Sequence, residues 1–289
     1  MELLKNKEFL ALKIEFKKRA LDLSVPKVMG IINLTPDSFY DGRKRLKKIG
    51  YLNEVEKMIS EGADIIDLGA VSTRPGSTQV SEEEELGRLL GPLQKIISNF
   101  PEILISIDTY RSKVARAVIE AGAHMINDIS GGTFDEEIFD VISEFKIPYI
   151  LMHIQGTPQT MQNNPIYTDV VAEVKLFFET KLKRLKDIGA DSNIILDPGF
   201  GFGKTTKHNY QLLHGLKHFA ILGRPLLVGV SRKSMINKVL KTSPGHALNG
   251  TTVIHTLALL NGANILRVHD VNEAKEAIHL VAKYNDELR

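Results

Sequence analysis

The sequence contains no cysteine. A disulfide framework, a thiolate metal site and a cysteine nucleophile are thereby excluded, and a reducing compartment suits the chain. There is almost no charge imbalance: 37 Lys and Arg face 35 Asp and Glu, a formal net charge of +2. That leaves nucleic acid without the basic excess it needs in a partner. No stretch approaches the roughly 18 apolar residues of a membrane helix. Near the N-terminus, Lys5, Lys7 and Glu8 interrupt what would have to be the apolar core of a secretory signal. A soluble, cytoplasmic protein is expected. There is no GxSxG elbow of a serine hydrolase. Gly203-Lys204-Thr205 imitates the end of a phosphate-cradling GxxxxGK[ST] loop, but Pro198 stands where its first glycine belongs.

What is present is a repeating alternation. The segment 10–16 carries apolar residues at every second position, a strand period, and is expected as a strand or hairpin over a barrel floor. From Val28 onward, short apolar runs alternate with amphipathic stretches. The runs are 28–32, 64–69, 103–108, 124–128, 147–153, 193–197, 225–230 and 264–269. Each is nearly continuous, as strands buried on both faces must be. Between them, Val171, Val174, Phe178, Leu182 and Leu185 fall on one helical face, as do Val271, Ala274, Ala277, Ile278 and Val281. Ser81 with Glu84 reads as a capping box, and Asp270 with Glu273 as a looser one. Eight strand–helix alternations predict a single-domain (β/α)₈ TIM barrel over 27–289, with residues 1–26 as an extension packed on it. A doubly wound sheet is the competitor, but the first run ends in Asn33-Leu34-Thr35-Pro36 without a glycine fingerprint.

Most runs end on a polar residue: Asn33, Asp67, Asp108, Asn127 with Asp128, His153, Asp197, and Arg267 with His269, while Lys233 follows the seventh. A closed barrel gathers these ends on its C-terminal face, where active sites of the fold sit. Each also has a plainer reading. Asp108 is placed to cap the next helix, Asp67 to serve structure alone, and His153 and His269 to be core histidines. Lys233 also suits a Schiff-base lysine.

The loops carry further chemistry. Ser72-Thr73-Arg74-Pro75-Gly76 sets hydroxyls beside a guanidinium, a combination suited to phosphate oxygens. Asp197-Pro198-Gly199-Phe200-Gly201-Phe202-Gly203-Lys204 hinges two phenylalanines on glycines beside a carboxylate; Phe200 is expected to pack inward, leaving Phe202 for a flat ring. Ser231-Arg232-Lys233-Ser234 places two cations at the mouth, where an anionic ligand would balance them.

In order and spacing, these stretches resemble dihydropteroate synthase: 29–39, 72–76, 106–109, 126–132, 151–153, 196–204, 230–234 and 267–270. The resemblance runs from about Val28 to the C-terminus. It implies condensation of 6-hydroxymethyl-7,8-dihydropterin diphosphate with 4-aminobenzoate, a sulfonamide-target enzyme of folate synthesis, and a homodimer formed through the last helices. By the same resemblance Asp108, Asn127, Asp197 and Lys233 hydrogen-bond the pterin, and Met152 and Arg267 pack around it. Asn33 holds the Mg²⁺ of the diphosphate, which Arg267 and His269 contact. Thr73, Arg74, Pro75, Phe202, Ser234 and Phe39 frame the aminobenzoate. Asp108, Lys233 and Arg74 are the expected catalytic groups. The loops 35–39 and 72–76 are expected to move until the diphosphate orders them. The rival within the same barrel family is a methyltetrahydrofolate–corrinoid methyltransferase. Its substrate carries no diphosphate, so it has no use for the 72–76 loop or the 231–234 segment.

Overall fold

The computed structural model describes residues 13–16, 19–35, 50–72 and 80–286, without the side chain of Phe16. Phe39, Thr73, Arg74 and Pro75, and with them 36–39 and 73–76 of the two loops expected to move, lie outside the described residues.

Two short strands, β1 (Lys13–Phe16) and β2 (Arg19–Asp22), pair antiparallel as a hairpin. Eight parallel strands follow: β3 (Lys27–Asn33), β4 (Ile65–Gly69), β5 (Leu104–Asp108), β6 (Met125–Asp128), β7 (Tyr149–Met152), β8 (Ile194–Asp197), β9 (Leu227–Val228) and β10 (Ile265–Val268). Their order is β8-β7-β6-β5-β4-β3-β10-β9. A parallel bridge between Leu196 and Leu226 joins the two ends, so the sheet closes into the expected barrel. The seventh run is only partly ladder: two residues of 225–230 count as strand, and Leu196 N donates to Pro225 O at 2.8 Å beside them.

A strand buried on both sides sends alternate side chains to two different cores. Met29, Ile65, Leu104, Met125, Ile150, Ile195, Leu227 and Ile265, one from each barrel strand, cluster with Ile14, Leu21 and Leu23 of the hairpin segment. The hairpin therefore plugs the N-terminal end of the barrel, as its alternation predicts. The intervening residues, among them Val28, Ile66, Ile105, Ile126, Val228 and Leu266, face the surrounding helices in one large core.

The helices form for the reasons read from the sequence. In α5 (Val170–Asp187), Val174, Phe178 and Leu185 are buried, and the Asp169 carboxylate caps Val171 N and Ala172 N. In α9 (Val271–Asp286), Val271, Ala274, Ala277, Ile278 and Val281 are all buried. Two cap expectations are corrected. Ser81 Oγ does accept from Glu84 N at 3.2 Å at the start of α2 (Glu82–Asn99), but Glu84 turns to Arg88 rather than back to the cap. The Asp270 carboxylate is taken by Arg232 through two 2.8 Å bonds. No described helix is long and apolar enough to cross a membrane.

Candidate active site

The strand ends converge at the C-terminal mouth. Asp67, one pair of residues below the end of β4, is fully buried. Its Oδ2 accepts from Asn127 Nδ2 at 3.0 Å and from Arg267 Nε at 2.7 Å. Arg267 also donates through Nη2 to Asp108 Oδ2 at 2.9 Å. Four strands are thus tied together: β4, β5, β6 and β10. Burial pushes the Asp108 carboxyl up to about 7; Arg267 opposes that rise, and the nearby Asp67 charge adds to it.

Asp197 ends β8 and is buried, its Oδ1 accepting from Gly199 N at 2.8 Å. Burial raises its pKa, against the pull of Lys233. Lys233 immediately precedes α7 (Ser234–Leu240); its Nζ donates to Phe200 O and stands 4.7 Å from the centre of the Phe202 ring. Burial lowers the lysine to about 8, with Asp197 opposing. The ring of polar groups is completed by an apolar shelf: Met152, Ile129, Ile154 and Met161 cluster, with Phe202, Tyr110 and Phe134 packed on them. Phe200 is fully buried, as expected, which leaves Phe202 beside the site.

The loop carrying Phe202 is held from below. Gly199 has a φ of +69°, and a Cβ there would collide with the His153 carbonyl oxygen, so the turn requires glycine. Lys204, which the sequence offered only as the loop's last residue, is buried and donates to Gly199 O (3.0 Å) and Phe202 O (3.0 Å) and meets His153 Nδ1 at 2.9 Å. Burial lowers Lys204 to about 7 and His153 to about 2. His153 is therefore a neutral, buried histidine supporting the loop.

Three expectations are refined. Asp128 does not face the mouth. Its carboxylate accepts from Ser130 N, Ser130 Oγ, Gly132 N and Tyr149 Oη and so shapes the turn after β6. Arg232 is no loose cation at the mouth: with a φ of 56° it donates to Asp270, Pro244 O and Gly245 O, leaving Lys233 as the cation of that segment which faces the site. Arg267 is turned to the Asp67 and Asp108 carboxylates. His269 and Ser234 are exposed at the rim, and His269 Nδ1 meets Ser231 Oγ at 3.0 Å. Asn33 ends β3, exposed. A Cβ on Gly69 would lie 3.7 Å from Asn33 Oδ1 and 3.6 Å from the Asp108 Cβ, so Gly69 keeps the space between the two open.

A ring of buried and half-buried acceptors and donors beside an apolar shelf suits a flat, polar-edged heterocycle. The profile of the pterin binding enzyme family matches residues 29–269. The dihydropteroate synthase of Escherichia coli K12 is 46% identical over 263 residues, 91% of this chain and 93% of its own. A crystal structure of the Yersinia pestis dihydropteroate synthase in complex with a sulfonamide drug superposes with a TM-score of 0.89 at 39% identity, covering 95% of this chain and 99% of that one. The Xanthomonas albilineans enzyme in complex with 7,8-dihydropteroate gives 0.84 at 34% identity over 94% and 98%. The chain belongs to the dihydropteroate synthase family.

Proposed function

We infer that the protein condenses 6-hydroxymethyl-7,8-dihydropterin diphosphate with 4-aminobenzoate to give 7,8-dihydropteroate and pyrophosphate. The observation that carries this reading is the meeting of Asp108, Asn127 and Asp197, from three strands, with Lys233, from the loop between β9 and α7, beside the Met152–Phe202 shelf. A pterin presents adjacent N–H donors that one carboxylate, Asp197, accepts together, while Lys233 donates to its ring acceptors. Arg267 packs at the edge of the ring.

The amine nitrogen bonds to the exocyclic methylene as its C–O bond breaks. Pyrophosphate takes the electron pair, and the surplus amine proton passes to solvent. Because the leaving group is already a good one, the protein supplies position and charge rather than a nucleophile. The Asp108 carboxylate favours the positive charge that grows on the methylene and ring. Arg74, Arg267 and His269 favour the departing anion. Thr73, Pro75, Phe39, Phe202 and Ser234 frame the aminobenzoate.

Mg²⁺ suits this site in one way only. Among the described residues no cluster of three or more His, Asp and Glu exists to cage a metal. Asn33, with a side-chain oxygen at the open rim, would be the residue to hold such an ion beside the diphosphate. When bound, the ion would supply charge neutralisation of the leaving group.

The reading includes a cytoplasmic homodimer. Val239, Leu240, Val253, Leu257, Leu260, Leu280 and Tyr284, on α7, α8 (Leu248–Leu260) and α9, are exposed apolar side chains of neighbouring helices, which a second copy would cover. The test of the whole reading is direct. Pyrophosphate release is measured with the pterin diphosphate and Mg²⁺, with and without 4-aminobenzoate. Release that does not depend on the amine overturns it.

A further inference from the structure

We propose that Asp67 is a positioning residue of the pterin site: its carboxylate fixes the Asn127 amide so that Oδ1, and not Nδ2, is the atom offered to the ligand. The inference rests on the pterin reading given above.

An asparagine side chain is nearly symmetric in shape and opposite in chemistry at its two ends, so something must decide which end faces a ligand. Here the decision comes from a group that only accepts. Asp67 Oδ2 lies 3.0 Å from Asn127 Nδ2 and 2.7 Å from Arg267 Nε. A flipped Asn127 would press its carbonyl oxygen on that carboxylate, deep in the barrel. Arg267 Nε holds the same Asp67 oxygen in place, and Asp67 is fully buried, so no water competes for the contact. The Asn127 Oδ1 left over is itself buried and has no hydrogen-bond partner. An orphaned buried acceptor is unfavourable, and a ligand N–H removes that penalty. Asn127 thereby selects a heterocycle with a donor at this edge and disfavours one with an acceptor there.

The second Asp67 oxygen points to a clean experiment. Oδ1 is buried without a partner, and both contacts fall on Oδ2. Asp67→Asn can therefore keep its oxygen toward Asn127 and Arg267 and put its amide nitrogen on the unpartnered side. Asp67→Ala cannot keep either contact. Binding of 6-hydroxymethylpterin, which lacks the diphosphate, is measured by titration calorimetry for wild type, Asp67→Asn, Asp67→Ala, Asn127→Ala and the double alanine variant.

Asp67→Asn should stay within about 3-fold of wild type and Asp67→Ala should bind about 10-fold more weakly, the effect of one misdirected buried hydrogen bond. In the Asn127→Ala background, the further loss of Asp67 should change affinity by about 2-fold or less. Equal losses in Asp67→Asn and Asp67→Ala, or fully additive losses in the cycle, overturn the proposal while leaving the pterin site standing. A wild type that does not bind the pterin sinks the functional reading, and the inference with it. Should Asp67→Ala not fold, side-chain amide NMR of wild type and Asp67→Asn decides. The Asn127 Nδ2 protons should exchange slowly in both, before and after pterin is added. Free exchange in the unliganded wild type is the contrary result.

Discussion

The protonation states at the mouth set a pH window that can be worked out. Asp108 has to be ionised to face a growing cation, and burial places its pKa at about 7. Lys233 has to be protonated to donate to the pterin ring, and burial places its pKa at about 8. Activity should rise with pH through the first value and fall through the second. With independent titrations, each group is about three-quarters in its working form at pH 7.5, so about 0.6 of the sites are competent. Two pH units to either side, about 0.03 are, a drop of about 20-fold. The assay is kcat/KM for pyrophosphate release from pH 5.5 to 9.5. Ionisation of the diphosphate substrate is common to all variants and cancels in the ratio of two profiles. Asp108→Asn should be slow throughout and should lose the acidic limb, while the basic limb stays. A wild-type profile flat across this range, or an acidic limb that survives in Asp108→Asn, refutes the assignment of Asp108.

Lys233→Ala should abolish turnover with an unchanged melting temperature; near-normal pyrophosphate release by the folded variant would reassign the residue. Arg74→Ala should reduce kcat far more than it weakens binding of 6-hydroxymethylpterin, and equal losses in both would move Arg74 into pterin recognition. Lys204→Met should change how stability depends on pH. The folded lysine titrates at about 7, below its ordinary 10.5. Between those values the unfolded chain holds a proton that the native state has shed, so wild-type stability gains up to about 1.4 kcal/mol per pH unit from this group as pH rises. Urea midpoints at pH 7.5 and 9 should show that gain in wild type and not in the variant, and identical pH dependence in both is the contrary result.

The barrel was legible because eight apolar runs of strand length alternate with helical stretches, and because most runs carry at or near their ends a polar residue for which a core strand has no use. Asn33, Asp108, Asn127, Asp197 and Arg267 stand at the mouth for that reason. The partner network was not legible. Asp67 meets Arg267 across 200 residues of sequence and Asn127 across 60, so only closure of the ring brings them together. Nor did charge content reveal that Arg232 is committed to Asp270 while its neighbour Lys233 turns to Phe200 O and the Phe202 ring. A left-handed backbone at Arg232 turns adjacent side chains in different directions, and local sequence pattern carries little record of it. Lys204 was hidden for a related reason: three of its four partners are main-chain carbonyls, two of them in its own loop.

Why the site lies at one end of a packed barrel follows from the stride of two along each strand. Inward positions run Met29, Ile31, Asn33 on β3; Ile65, Asp67, Gly69 on β4; Leu104, Ser106, Asp108 on β5. The same column passes from Met125 to Asn127 on β6, from Ile195 to Asp197 on β8, and from Ile265 to Arg267 on β10. Each column begins apolar at the hairpin-covered floor and becomes polar toward the mouth. The apolar half closes the barrel by burying its side chains. The polar half desolvates its charges, and that burial is the largest cause of the raised Asp108 and Asp197 and the lowered Lys233. β7 departs from the pattern, running Ile150 to Met152. That apolar end supplies the shelf on which a flat ring can lie while polar groups of the other strands meet its edge. A single polar substitution at Met152 would extend the ring of hydrogen bonds and remove the surface against which they are aimed.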